Sequence, residues 1–166
     1  MIIVLFGLPG AGKNFIAEIF RDSFGFHLYD ADKGLPPAAF RALRKKHLVS
    51  EATRQAFYKK IARKAEQLEE KYGAVVIPRT FTHERSRRYF KKLLPHSQFI
   101  LVEASRKIRH QRVTTRNHHI DLEYAEKFEN IFEKPRISHS VLKNIHRRKQ
   151  LLKRRISRIL KKVAKK

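Results

Sequence analysis

The stretch GLPGAGKN, Gly7 to Asn14, restricts what this chain can become more than any other part of it. It follows the spacing G-x-x-x-x-G-K-[ST] at seven of its eight positions and departs only at the last, where Asn14 stands in place of a hydroxyl residue. Gly7, Gly10 and Gly12 lack a Cβ, so the backbone there can turn through positive φ and bring its N–H groups against phosphate oxygens. Lys13 adds a positive charge at the β- and γ-phosphates of a nucleotide. Leu8, Pro9, Ala11, Asn14 and Phe15 complete the cradle. Ahead of the loop, MIIVLF (Met1 to Phe6) is a short apolar run rich in β-branched residues. After it, NFIAEIFRDSF places Phe15, Ile16, Ile19, Phe20 and Phe24 near one face of a helix, whose N-terminus would lie under the phosphates. A strand, a glycine loop, a lysine and a helix in this order predict a phosphate site built into an α/β fold.

The same alternation continues downstream. FHLYDAD (Phe26 to Asp32) reads as a strand ending in two acids, and Pro36 and Pro37 open a helical stretch to about His47. A longer helix is expected from Ser50 to Tyr72, where Ser50 and Glu51 suit the first turn. GAVVIP (Gly73 to Pro78) and QFILVEA (Gln98 to Ala104) read as buried strands, and SVL (Ser140 to Leu142) as a last short one. Helices are expected near 83–94, 106–116 and 122–132, with a polar segment, Asn117 to Asp121, between the last two. Strands separated by helices imply right-handed crossovers and a parallel sheet covered on both faces. Ligands of such sheets sit outside the carboxyl ends of the strands. The glycine loop, Asp30 with Asp32, and Arg79 all fall at those ends.

A chain of 166 residues suits one domain with a real core, here expected over 1–144, followed by a basic C-terminal helix or tail over 145–166. With no Cys, neither a disulfide framework nor a thiolate metal site is possible. The apolar run at the N-terminus is too short for a secretory signal or a membrane span, which leads to the expectation of a cytoplasmic protein. The formal net charge is +24, and half of it lies between Lys143 and Lys166, where twelve Lys/Arg meet no Asp or Glu. Leu152, Ile156, Ile159, Leu160 and Val163 recur there at helical spacing, which suits a helix packed by an apolar stripe. The alternative for 143–166 is weak contact with nucleic acid or an anionic surface.

Phosphoryl transfer asks a protein mainly for positioning and charge cancellation. Of Asp30 and Asp32, one can hold magnesium through water while the other accepts a proton from an acceptor hydroxyl. Arg112 and Arg116, four apart on one helix face, can reach a nucleotide together, one stacking on adenine and the other clamping phosphate. His118 and His119, adjacent and without a completing ligand set, read as exposed loop residues rather than metal ligands. Asn14 offers a carbonyl oxygen where a Ser or Thr would offer a hydroxyl, so a weaker or water-mediated magnesium contact is expected.

With GLPGAGKN, YDADKGLPP, HLVSEATRQAF, VIPRTFTHERSR and EKFENIFEKP in this order, the chain resembles the gluconate kinase and shikimate kinase group of small P-loop kinases over roughly Ile2 to Asn144. The resemblance implies a three-layer α/β/α P-loop NTPase fold with a five-stranded parallel sheet, ATP with Mg2+, and a short lid near Asn117 to Asp121. It makes Asp32 the base facing the acceptor hydroxyl, Asp30 the magnesium-side acid, Arg112 the adenine-stacking residue and Arg116 the lid residue that meets phosphate. Arg54 and Arg79 fall where the family contacts an anionic substrate. On the acceptor side the sequence departs from gluconate kinases: Phe81 stands near a basic position, and Gly34 to Pro37 replaces a His-Pro pair. The expected activity is transfer of the γ-phosphate of ATP to a hydroxyl of a small anionic metabolite. Two other readings stand beside it: a kinase of nucleoside or nucleic-acid 5′-hydroxyls, and a non-catalytic nucleotide-binding module with an RNA- or membrane-binding tail.

Overall fold

The structure is a computed structural model that describes residues 1–34, 37, 41, 50–115, 121–145 and 148–164. Five parallel strands, β1 (Ile2–Phe6), β2 (His27–Leu28), β3 (Val75–Arg79), β4 (Gln98–Glu103) and β5 (Ser140–Lys143), lie side by side in the order β2-β3-β1-β4-β5. Every residue of β1 is buried, as expected for a central strand with cover on both faces. Successive side chains of a strand point to opposite faces. Ile2, Val4 and Phe6 accordingly enter one core and Ile3 and Leu5 the other.

The first core is closed by α2 (Glu51–Tyr72) and α3 (Glu84–Leu93), through Phe57, Tyr58, Ile61, Ala65 and Phe90. The second is closed by α1 (Lys13–Phe24) and α6 (Lys149–Val163), through Ile16, Phe20, Leu152 and Ile156. Two shorter helices, α4 (Arg106–Thr114) and α5 (Leu122–Asn130), pack on each other beyond the end of β4. The result is the expected three-layer α/β/α arrangement. Local signals set the helix ends. Ser50 accepts the Thr53 N–H at the start of α2, and Ser105 and Asp121 do the same for Ile108 and Tyr124 at the starts of α4 and α5.

The second strand is shorter than the reading Phe26 to Asp32. It pairs with β3 only at His27 and Leu28, and after Tyr29 the chain curls into a 3-10 turn, Ala31–Gly34, with Ala31 fully buried. As an edge strand it has one partner, and the segment YDADKG contains no β-branched residue to hold it extended. The C-terminal segment is a helix packed on α1, so its described part belongs to the same domain. The helical stretch expected from Pro36 to His47 lies outside the described residues except for Pro37 and Arg41.

Candidate functional site

The glycine loop joins the carboxyl end of β1 to α1, with β3 on one side and β4 on the other. The chain leaves β1 toward β2 and leaves β3 for β4 on the other side, so the strand order reverses between β1 and β4, a switch point where ligands bind. Three glycines let the loop settle there. Gly7, Gly10 and Gly12 have φ of 144°, 76° and 92°, and a Cβ on each would run into the carbonyl of Val102, the backbone of Arg109 and the side chain of Asn144 respectively. The loop is thus pressed against β4, α4 and the end of β5 at once. Lys13 opens α1 and folds back over the loop, its Nζ donating to the carbonyls of Gly7 at 2.9 Å and Leu8 at 3.0 Å. Asn14, next in the first turn, is exposed.

Arg112, expected at the adenine, lies against the glycine loop and the chain that leaves β5. It is 9% exposed, and its guanidinium donates to the carbonyls of Gly10 and Ala11 at 3.3 Å each, Asn144 at 3.0 Å and Ile145 at 3.4 Å. Those carbonyls belong to the loop and to the chain leaving β5, so Arg112 ties the two together from below. Asn144, fully buried, adds a second tie by donating Nδ2 to the Ala11 carbonyl at 2.8 Å. Arg109, one turn earlier, is buried as well, at 8% exposed. It lines a cavity of about 400 Å³ beside the loop, together with Leu8, Val102, Glu103, Ala104 and Ile145. Its guanidinium is held by Glu129 at 2.8 Å and the Ala104 carbonyl at 3.2 Å.

A basic cluster occupies the opposite, β3 side. Arg79 lies in register with Phe6, the residue before Gly7, and its guanidinium rests over the Phe57 ring at 5.0 Å. Burial pushes the phenols of Tyr29 and Tyr58 above their ordinary range, and in both the charge of Arg79 opposes the rise, so its positive field reaches both rings. Nearby, the Glu51 carboxylate is bridged by Arg54 at 3.0 Å and Arg85 at 3.2 Å. Arg54 and Arg79, both expected at a substrate, therefore share one side of the loop with Arg85, Glu51, Tyr29 and Tyr58, which sequence reasoning missed. Phe81 is fully buried among Tyr58, Phe90 and Phe99 and contributes to the core.

The two acids sit at the start of the turn after β2. Asp30 is half-buried, and the backbone of Asp32 lies in the 3-10 turn, while its side chain lies outside the described residues. Arg116 and 117–120 of the expected lid also lie outside them, and Asp121 caps α5. No group of three or more His, Asp or Glu forms a ready metal site among the described residues. Asn14, exposed in the first turn of α1 beside the glycine cradle, offers a carbonyl oxygen that suits magnesium, which keeps several waters and needs few protein ligands, whereas Asp30 lines a groove with Arg21, His27 and Tyr72 at the β2 edge. No described helix is long and apolar enough to cross a membrane.

No protein-family model matches this sequence, and no curated protein matches it. Solved structures share its fold. A sugar kinase from Janibacter sp. HTCC2649, unliganded, is similar at a TM-score of 0.82 with 17% identity, over 96% of this chain and 94% of that one. A gluconokinase from Sinorhizobium meliloti 1021 is similar at 0.77 with 18% identity, over 98% and 94%. A shikimate kinase from Acinetobacter baumannii, in complex with shikimate, is similar at 0.66 with 14% identity, over 97% and 93%. The chain therefore has the α/β P-loop kinase fold along essentially its whole length.

Proposed function

We propose that this protein is an ATP-dependent phosphotransferase that moves the γ-phosphate to a hydroxyl of a small anionic metabolite. The observation that carries this reading is the position of the loop, with its lysine, between two unlike walls: a cavity lined by Arg109 and a wall of Arg54, Arg79 and Arg85. The loop amides and Lys13 hold the donor phosphates, and the cavity on the β4 side has room for the ring attached to them. The arginine wall draws in an acceptor bearing a carboxylate or phosphate and turns its hydroxyl toward the loop. Asp32 takes the hydroxyl proton as the oxygen attacks, and Arg116 meets the transferring group. Asn14 and Asp30 are the residues that would hold magnesium, which when bound would supply charge cancellation on the transferring phosphate.

The test is ADP release from ATP and magnesium with a panel of sugar acids, polyols, shikimate, nucleosides and 5′-hydroxyl RNA. One small anionic acceptor should stimulate release, Lys13→Ala should abolish it, and Asp32→Asn should remove transfer while sparing ATP binding. ATP binding with no stimulation by any acceptor would sink the kinase reading, and undiminished turnover in Asp32→Asn would remove the base from the mechanism.

A further inference from the structure

Helix α6 carries two faces, and the fold uses one of them. Leu152, Ile156 and Ile159 are 3%, 0% and 9% exposed and close the second core. Opposite this stripe stand Arg154, Arg158, Lys161 and Lys162, all exposed, on a helix with no acidic residue. Among the described residues no Asp or Glu forms an ion pair with a cation of α6. Asp22 of α1 pairs with Arg21 at 2.7 Å and feels the charges of Lys149 and Lys153, on the α1 side of the helix, but not those of the outer row. Arg154 and Arg158 are separated by about 6 Å along the helix axis, comparable to the spacing of successive phosphates on a strand. The same side chains line a groove of about 560 Å³ between α6 and the last turn of α1, where Ser23 and Ser157 add hydroxyl donors beside Lys153.

The chemistry of this face selects among its possible partners. A helix that rests on a membrane does so by sinking its apolar face into the headgroup boundary, and here that face is consumed by the core. A protein interface needs an apolar centre from which lysine is depleted, whereas this face offers a single exposed Leu151 among cations. A regular row of fixed cations suits a regular row of phosphates, gaining affinity from the counterions they release. We propose that the outer face of α6 binds the phosphate backbone of a nucleic acid, without reading its sequence.

The test uses the full chain and a labelled single-stranded RNA, with binding followed by fluorescence anisotropy across a salt series. The triple variant R154Q/R158Q/K161Q removes three cations and leaves the apolar stripe intact. A matched control, K60Q/R63Q/K64Q, removes three exposed cations from α2. At about 0.7 counterions per single-strand contact, the α6 triple should lower the slope of log affinity against log salt by about 2 and weaken binding about 100-fold at 0.1 M salt. The control should change both far less. Equal losses in the two triples would mean that net charge alone drives binding, and would overturn the proposal. So would RNA binding untouched by the α6 triple, or vesicles of anionic lipid binding with an affinity that this triple abolishes while RNA affinity stays. Should the triple shift the thermal midpoint, the single variant R158Q, expected to lower the slope by about 0.7, carries the same decision.

Discussion

Replacing Arg112 with Ala separates a residue that holds the loop from one that holds the nucleotide. The guanidinium is 9% exposed and serves four backbone carbonyls at 3.0 to 3.4 Å. Truncation leaves three of those carbonyls without this donor, Ala11 keeping Asn144 Nδ2, and the contacts are long enough to count at about 1 kcal/mol each, giving a loss of about 3 kcal/mol. In a domain of this size each kcal/mol lowers the midpoint by about 2–4 °C, so thermal unfolding without ligand should fall by about 6–12 °C. Urea denaturation should show the same loss as a lower midpoint at unchanged slope. Arg112→Lys should recover only part of it, because one ammonium cannot span carbonyls on two separate segments. A midpoint within a degree or two of the parent, together with a more than tenfold loss of ATP affinity, would refute the reasoning and return Arg112 to the ligand.

Three further outcomes follow from the same geometry. Gly10→Ala puts a Cβ at φ 76° into the backbone of Arg109, whereas Gly25→Ala, at φ 71°, meets nothing within 4 Å. Both should lose about 1–2 kcal/mol for the backbone conformation, and Gly10→Ala about 1–3 kcal/mol more for the clash, readable as a larger drop in denaturant midpoint and weaker ATP binding. Asn14→Ser should raise apparent magnesium affinity in the ADP-release assay, and an unmoved affinity would place the residue away from the ion. Burial alone would raise the Glu84 carboxyl, but the Arg136 N–H and Arg87 hold it below the usual range, and the Glu84 N–H and His83 lower Glu133. A lowered carboxyl contributes stability that is present above its unfolded value, about 4.3, and lost as pH falls through the native value. Unfolding midpoints measured from pH 7 down to 3 should therefore drop, and Glu84→Gln should flatten that drop.

Much of the donor side was legible because its chemistry is contiguous. The loop, its lysine and the helix beneath it occupy one short stretch, and the glycine spacing reports the backbone geometry directly. Capping residues such as Ser50 and Asp121 were legible for the same reason, since a cap and the N–H it serves lie three residues apart. The arginine side of the loop was legible only in part. Arg54 and Arg79 could be named, but nothing in the sequence said that Glu51 would bridge Arg54 to Arg85, or that Phe81 would turn into the core.

The division has a physical cause. By itself the sequence determined the alternation of strands and helices, the phosphate loop and the amphipathic stripe of the last helix, because each depends on residues within a few turns of one another. Tertiary structure alone decided what Arg109 and Arg112 hold, since three positions on a helix separate a guanidinium paired with Glu129 from one spent on the loop backbone. It also brought Asn144 under Ala11, 133 residues away, a contact that no local pattern encodes. And it spent the apolar stripe of α6 on the core, leaving a mainly cationic surface outside.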